Sequence, residues 1–212
     1  MNRSASRGLV RTSLALGAAL ASTVLVTTAS AAAPGTAAGA AGAPAAARSV
    51  TERGCAVAYF DLGETLVHTA DDESTSYRPG VAAYLRALRE RHIKVGLITN
   101  VPSAWGATDA ERAAVLKKEV DASWKGDAPF AWGDFGDRIL TPRTEAERKP
   151  APALWERARA GSGGCHLVYQ AETAEETDAA ASLGFLAYQV GQPSRPAFLP
   201  ARLIELLAHL PR

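Results

Sequence analysis

Short apolar runs alternate with segments of helical periodicity over residues 56–210. Each run has the length and composition of a buried strand, and each longer segment places its apolar residues on one helical face. The strands are predicted at residues 56–60, 95–98, 139–140, 166–170 and 185–190, and the helices at 78–91, 108–120, 150–160, 173–183 and 199–210. This alternation predicts an α/β fold with a doubly wound, parallel five-stranded sheet.

Two of the predicted helices begin with a capping box, in which a threonine and a glutamate three residues later bind each other's backbone amides. Thr108 and Glu111 form the first pair, and Thr173 and Glu176 form the second. The pattern therefore predicts a structural role for both glutamates.

The N-terminal region does not follow the alternation. Three arginines precede an apolar run at residues 14–26, and small residues follow it at 29–31. This order is typical of a secretory signal peptide. A membrane anchor is the alternative, but the run is short and weakly apolar for a span of about 20 residues. We therefore predict a cleaved signal peptide at residues 1–31, a secreted protein and no stable membrane anchor.

Residues 32–52 are mainly alanine, glycine and other small residues, a composition typical of a linker, and they precede a domain at residues 53–212. The chain carries 23 Lys and Arg against 22 Asp and Glu, a net charge of +1, which gives no electrostatic reason to expect a nucleic-acid partner. The two cysteines exclude zinc-finger and cysteine-rich frameworks.

Polar residues follow several of the predicted strands. Asp61 follows the first strand, Thr99 and Asn100 follow the second, and Glu172 comes shortly after the fourth. Lys149 lies just before the start of a helix. In parallel sheets, functional residues gather at the carboxyl ends of the strands. A carboxylate, a hydroxyl and an ammonium group at that edge are a set suited to binding phosphate.

Four segments resemble, in order, the motifs of the haloacid dehalogenase-like hydrolases. They are Phe60-Asp61-Leu62-Gly63-Glu64-Thr65-Leu66-Val67, Leu97-Ile98-Thr99-Asn100, Arg148-Lys149-Pro150 and residues 167–184. Their order and spacing agree over residues 55–190, and the motif lengths resemble the phosphatase branch. The resemblance implies a sheet order of 5-4-1-2-3. The distances between the motifs leave no room for a large cap domain.

The resemblance also implies a mechanism and a cofactor. Asp61 would be the nucleophile that forms an aspartyl-phosphate. Asp61 and the backbone carbonyl of Gly63 would bind Mg²⁺, an ion that prefers oxygen ligands. Thr99 and Asn100 would bind the phosphoryl group of a phosphorylated substrate, and Lys149 would hold the nucleophile and the phosphate charge. The expected activity is that of a Mg²⁺-dependent phosphatase.

The first and fourth motifs depart from the family pattern. Gly63 stands where the family has its acid/base aspartate, so a water molecule or Glu64 would have to move the proton. The fourth motif aligns in two ways: one leaves Ala171 in place of the first acid, and the other puts Glu172 there as a metal ligand with Glu176 as the second acid. The alternative to an enzyme is a catalytically silent protein of this fold that binds a ligand or partner.

The cysteines occupy matching positions on two strands. Cys55 lies six residues before Asp61, and Cys165 lies six residues before Ala171. In the sheet order that the resemblance implies, these strands are parallel neighbours, about 4.8 Å apart. The two cysteines would then lie side by side, within reach of a disulfide. We therefore predict a structural Cys55–Cys165 bond, as expected of a secreted chain.

Overall fold

The computed structural model describes residues 54–211. The predicted signal peptide at 1–31 and linker at 32–52 lie outside the described residues. Within the described part of the chain, no helix has the length and apolar character needed to cross a membrane.

The elements alternate as the sequence predicts. In residues 54–211 the strands are β1 (Ala56–Phe60), β2 (Val67–Thr69), β3 (Thr75–Tyr77), β4 (Lys94–Ile98), β5 (Ile139–Leu140), β6 (His166–Ala171) and β7 (Leu186–Gln189). The α-helices are α1 (Val81–Glu90), α2 (Asp109–Ser123), α3 (Trp132–Phe135), α4 (Ala153–Ala160), α5 (Ala174–Ser182) and α6 (Ala201–Leu207). Each of the five predicted helices begins one to three residues later than expected, because capping residues and prolines precede its first turn.

Five of the strands form one parallel sheet in the order β5-β4-β1-β6-β7. Numbered as the five predicted strands and read from the opposite edge, this is the order 5-4-1-2-3. The central strand β1 is buried along its whole length. Ala56, Ala58 and Phe60 face one core layer, and Val57 and Tyr59 face the other. Helices therefore cover both faces of the sheet, which confirms the doubly wound α/β architecture.

The pairing of β1 places the ends of three strands together. Phe60 pairs with Leu97 of β4 on one side and with Gln170 of β6 on the other. The residues that follow these partners, Asp61 among them, therefore meet at the carboxyl edge of the sheet.

A small antiparallel hairpin, β2–β3, lies between β1 and α1 and was not predicted from the sequence. Each of its strands has three residues, of which only the first is buried, so they carry no apolar run. The hairpin is extended on one side where Lys125 N–H donates to Thr75 O at 2.7 Å.

A disulfide joins Cys55 to Cys165, with the two Cα atoms 4.7 Å apart. The cysteines precede β1 and β6, and His166 N–H donates to Cys55 O at 2.8 Å. The bond lies at the amino end of the sheet, opposite Asp61, and confirms the predicted pairing.

Candidate active site

Asp61 is the first residue after β1. Its backbone N–H donates to Gln170 O at 3.0 Å, which extends the pairing with β6 by one residue. Its side chain is only 10% exposed and points to the partners described below. The apolar strand therefore carries a carboxylate into a largely buried position at the edge of the sheet.

Lys149 approaches Asp61 from the segment before α4. Its Nζ lies 2.6 Å from Asp61 Oδ1, 2.7 Å from Glu176 Oε2 and 3.1 Å from Tyr169 Oη. The Lys149 side chain is 1% exposed. The resemblance predicts the contact with Asp61, and the structure adds the other two partners.

Glu176 does not have the role that the capping pattern predicts. The N–H of Glu176 does donate to Thr173 Oγ1 at 3.4 Å, so half of the box is present. Its carboxylate, however, accepts from Lys149 and from Tyr169 Oη, the latter at 2.6 Å. In the complete box at Thr108 and Glu111, the glutamate carboxylate also accepts from the threonine N–H, whereas the Glu176 carboxylate is turned to Lys149 and Tyr169 instead. The charge of Lys149 draws the Glu176 carboxylate away from the helix terminus.

Thr65 links Asp61 to Glu172. Its hydroxyl lies 2.5 Å from Glu172 Oε2 and 3.4 Å from Asp61 Oδ2, and it accepts from Glu172 N–H at 3.1 Å. A threonine hydroxyl has one proton, so it can satisfy only one of the two carboxylates at a time. The shorter distance assigns that proton to Glu172. Sequence reasoning did not single out Thr65, although it lies in the first motif.

Asn100 binds the backbone of Lys149. Its Oδ1 accepts from Lys149 N–H at 2.8 Å, and its Nδ2 donates to Lys149 O at 3.1 Å. Asn100 therefore joins the end of β4 to the lysine segment, and its predicted contact with substrate stays a prediction. Thr99 is buried beside it, with its N–H donating to Leu140 O at 3.2 Å.

Gly63 and Glu64 lie at the open side of the site. Gly63 is exposed, and an added Cβ atom would meet nothing within 4 Å. The Glu64 carboxylate contacts His68 Nδ1 at 3.0 Å and accepts from Thr69 N–H at 3.0 Å. These bonds hold Glu64 against the hairpin, which argues against its replacing the missing acid/base aspartate.

Carboxylates outnumber cations at this site. Lys149 Nζ binds the carboxylates of Asp61 and Glu176, and Glu172 lies near Asp61 at the Thr65 hydroxyl. Burial raises the pKa of Asp61 above its usual value, the nearby Lys149 opposes that shift, and the charge of Glu172 adds to it. Burial likewise raises the pKa of Tyr169 well above 10, so its hydroxyl stays protonated.

The residues fit a divalent cation by charge and by donor type. Oxygens of Asp61 and Glu172 lie 3.4 and 2.5 Å from the same Thr65 hydroxyl, and the exposed Gly63 comes two positions after Asp61. Oxygen ligands are those that Mg²⁺ prefers. Residues 54–211 contain no cluster of three or more His, Cys, Asp or Glu side chains that would hold a metal alone. A cation here would therefore also need backbone oxygen, water or substrate phosphate as ligands.

Comparisons with known proteins give low identities. No protein-family model and no curated protein matches the sequence. Among solved structures, a provisionally assigned HAD-like phosphatase from Mesorhizobium loti is similar at 17% identity and a TM-score of 0.45, covering 73% of this chain and 85% of that one. A dehalogenase is similar at 18% identity and a TM-score of 0.35, covering 58% of this chain and 48% of that one.

The fold follows from the chain's own architecture. The parallel sheet has the expected order, β1 is central, and Asp61 and Lys149 from separate motifs are in contact at its carboxyl edge. Segments of the other two motifs adjoin them, because Asn100 binds Lys149 and Thr65 joins Asp61 to Glu172. The domain therefore has the doubly wound α/β architecture, and the strand order, that the resemblance to the haloacid dehalogenase-like hydrolases implies.

Proposed function

We propose that the protein is a Mg²⁺-dependent phosphatase that acts through an aspartyl-phosphate on Asp61. One observation carries the proposal: a largely buried Asp61 carboxylate is held 2.6 Å from the ammonium of Lys149 at the carboxyl edge of the sheet. A nucleophile needs a fixed orientation, and a phosphoryl group needs a positive charge beside it. Lys149 serves both needs.

The chain's own residues account for two steps. An Asp61 oxygen attacks phosphorus, and the bond from phosphorus to the leaving oxygen breaks with its electron pair going to that oxygen. Water then attacks the phosphorus of the aspartyl-phosphate, and the bond from phosphorus to Asp61 breaks with its electron pair returning to the carboxylate. Inorganic phosphate leaves with the oxygen of that water, and the surplus proton passes to solvent. Lys149 holds Asp61 in place throughout, and Asn100 holds the Lys149 backbone.

Mg²⁺ would be held by Asp61 and Glu172, with the backbone carbonyl of Gly63 beside them. When bound, the ion would neutralise charge on the phosphate. Thr65 keeps Glu172 oriented through two hydrogen bonds.

Gly63 cannot supply a proton to the leaving oxygen. Substrates whose leaving group is stable without a proton, such as aryl phosphates, should therefore react faster than alkyl phosphates. The lack of a proton donor at Gly63 also favours the second candidate function. This is a catalytically silent protein of the same fold that binds a phosphorylated ligand without cleaving it.

The purified protein assayed with an aryl phosphate, with and without Mg²⁺, tests the proposal. We expect turnover that needs the metal and disappears in Asp61→Asn, because an amide cannot form the covalent intermediate. Asp71→Asn is the matched control, since Asp71 is exposed in the hairpin turn. Turnover that survives in Asp61→Asn would contradict the mechanism. Phosphate binding without turnover would favour the silent protein.

We also propose that the protein is exported before it acts. The leader pattern at residues 1–31 and the Cys55–Cys165 bond both support this, since disulfides persist in oxidising spaces. Expression in an exporting host, followed by N-terminal sequencing of the released protein, should find a mature start near residue 32. Retention of an uncleaved chain in the cytoplasm would contradict the proposal.

A further inference from the structure

Tyr169 lies in the middle of β6 with no exposed surface, and its ring packs edge-on against Trp155 at 5.4 Å. Packing alone would be satisfied by phenylalanine. A buried hydroxyl is costly unless it has hydrogen-bond partners. The partners of Tyr169 Oη are Lys149 Nζ at 3.1 Å and Glu176 Oε2 at 2.6 Å, both charged groups of the candidate site.

The hydrogen bonds of this group close a ring. A lysine ammonium has three donors, and three acceptors surround that of Lys149: Asp61, Glu176 and Tyr169. The Tyr169 hydroxyl accepts a hydrogen bond from Lys149 and donates one to Glu176, which also accepts from Lys149. Each of the three side chains is thereby fixed by the other two.

We propose that Tyr169 is a positioning residue that holds Lys149 and Glu176 in place beside Asp61. Its hydroxyl bonds to Lys149 and Glu176 and it has no exposed surface, so it acts through these two partners. The raised pKa of its hydroxyl supports this role, because only the protonated form can donate to Glu176. The part of the proposal that concerns rate rests on the phosphatase function proposed above.

Tyr169→Phe opens the ring while keeping the aromatic packing. The matched control is Tyr84→Phe, because Tyr84 also loses two hydrogen bonds, to Leu199 O and Gln170 Nε2, and lies outside the site. The first readout is the exchange of the Lys149 ammonium protons with water, measured by lysine-selective NMR on the ¹⁵N-labelled protein and assigned with Lys149→Arg. We expect exchange to be several-fold faster in Tyr169→Phe and unchanged in Tyr84→Phe.

The second readout is turnover of an aryl phosphate with Mg²⁺. Loss of a hydrogen bond to a charged group should lower kcat about tenfold or more, with KM within about twofold of the original value. Tyr84→Phe should keep both constants. Should Tyr169→Phe fail to fold, Glu176→Gln weakens the ring from the other side and should give the same faster exchange.

The outcomes separate the two proposals. Faster exchange with a lower kcat supports the positioning role. Equal exchange in Tyr169→Phe and Tyr84→Phe overturns it, whatever the protein's activity. A wild-type protein without turnover overturns the phosphatase function, and the exchange measurement then still decides whether Tyr169 holds Lys149.

Discussion

Asp61 and Asp109 are carboxylates with charged partners, yet the balance of charge around them is opposite. Asp109, in the first turn of α2, accepts from Arg112 at 3.0 Å and from Arg157 at 2.9 Å, and the hydroxyl and N–H of Thr141 donate to it at 3.0 and 3.2 Å. Two cations thus face one carboxylate. At Asp61, the one cation in contact is Lys149, which also binds Glu176, and Glu172 adds a further negative charge nearby.

The pKa directions of the two groups follow this difference. Burial acts to raise the pKa of Asp109, but the hydrogen bonds from Thr141 and the charge of Arg157 outweigh it and hold that pKa below its usual value. At Asp61 burial prevails over the charge of Lys149, so the pKa is raised. Asp109 therefore stabilises the fold as a carboxylate. Asp61 is kept at some cost to stability, as is common for groups that serve function.

Replacing each of the two carboxylates in turn should give the largest difference in stability and activity. Asp109→Ala removes a partner from Arg112, whose side chain is 1% exposed, and should cost about 2–3 kcal/mol of unfolding free energy. In a domain of this size that lowers Tm by roughly 5–10 °C. Asp61→Asn should leave Tm unchanged or raised while abolishing turnover.

Thermal unfolding of both variants beside the aryl phosphate assay measures this contrast. A large loss of stability in Asp61→Asn, with little loss in Asp109→Ala, would reverse the assignment of the two sites.

Gly63→Asp tests whether a proton donor at this position raises turnover at the Asp61 site. It places an aspartate where the haloacid dehalogenase-like motif has its acid/base residue, at a position where a new Cβ has room and where the backbone lacks the positive φ that favours glycine. We expect turnover to rise about tenfold or more, within the range of general acid–base catalysis. The gain should be larger for an alkyl than for an aryl phosphate. Equal or lower turnover of both in a folded variant would mean that the site does not use a proton donor at this position.

The dependence of stability on pH should give the smallest effect. The pKa of Asp109 is lowered, so its contribution is present above its unfolded pKa of about 4 and is lost as pH falls through the folded value. The pKa of Asp61 is raised, so the fold favours its neutral form, and that advantage is lost as pH rises through the folded value. Asp109→Asn should therefore flatten the acid loss of Tm, whereas Asp61→Asn should raise Tm at neutral pH relative to acid pH. Identical Tm profiles over pH 2–7 would contradict both directions.

The sequence predicted the main sheet because its strands are continuous apolar runs that local patterns reveal. The order of those strands came from the resemblance alone. The hairpin β2–β3 was missed because three-residue strands with exposed side chains leave no such run.

Among the site residues, some were predicted from recognisable motifs, and others are brought together only by the fold. Asp61 and Lys149 belong to recognisable motifs and are in contact, as expected. Glu176 fits a local capping pattern, and only the fold brings it to a lysine 27 positions away. Tyr169 is indistinguishable by sequence from a core residue of a buried strand, because the charged partners of its hydroxyl come from other segments.

The Cys55–Cys165 bond also determines how the domain bears a mechanical load. A pull on the chain before Cys55 passes through sulfur directly to the start of β6, because the enclosed segment spans 110 positions and cannot lengthen. The disulfide thereby prevents a segment whose fully extended length would be about 380 Å from being pulled out. Asp61 and Lys149 lie inside the enclosed segment, whereas Tyr169 and Glu176 lie beyond it. Under tension from both ends, the site would therefore be divided between a shielded half and a half that unravels.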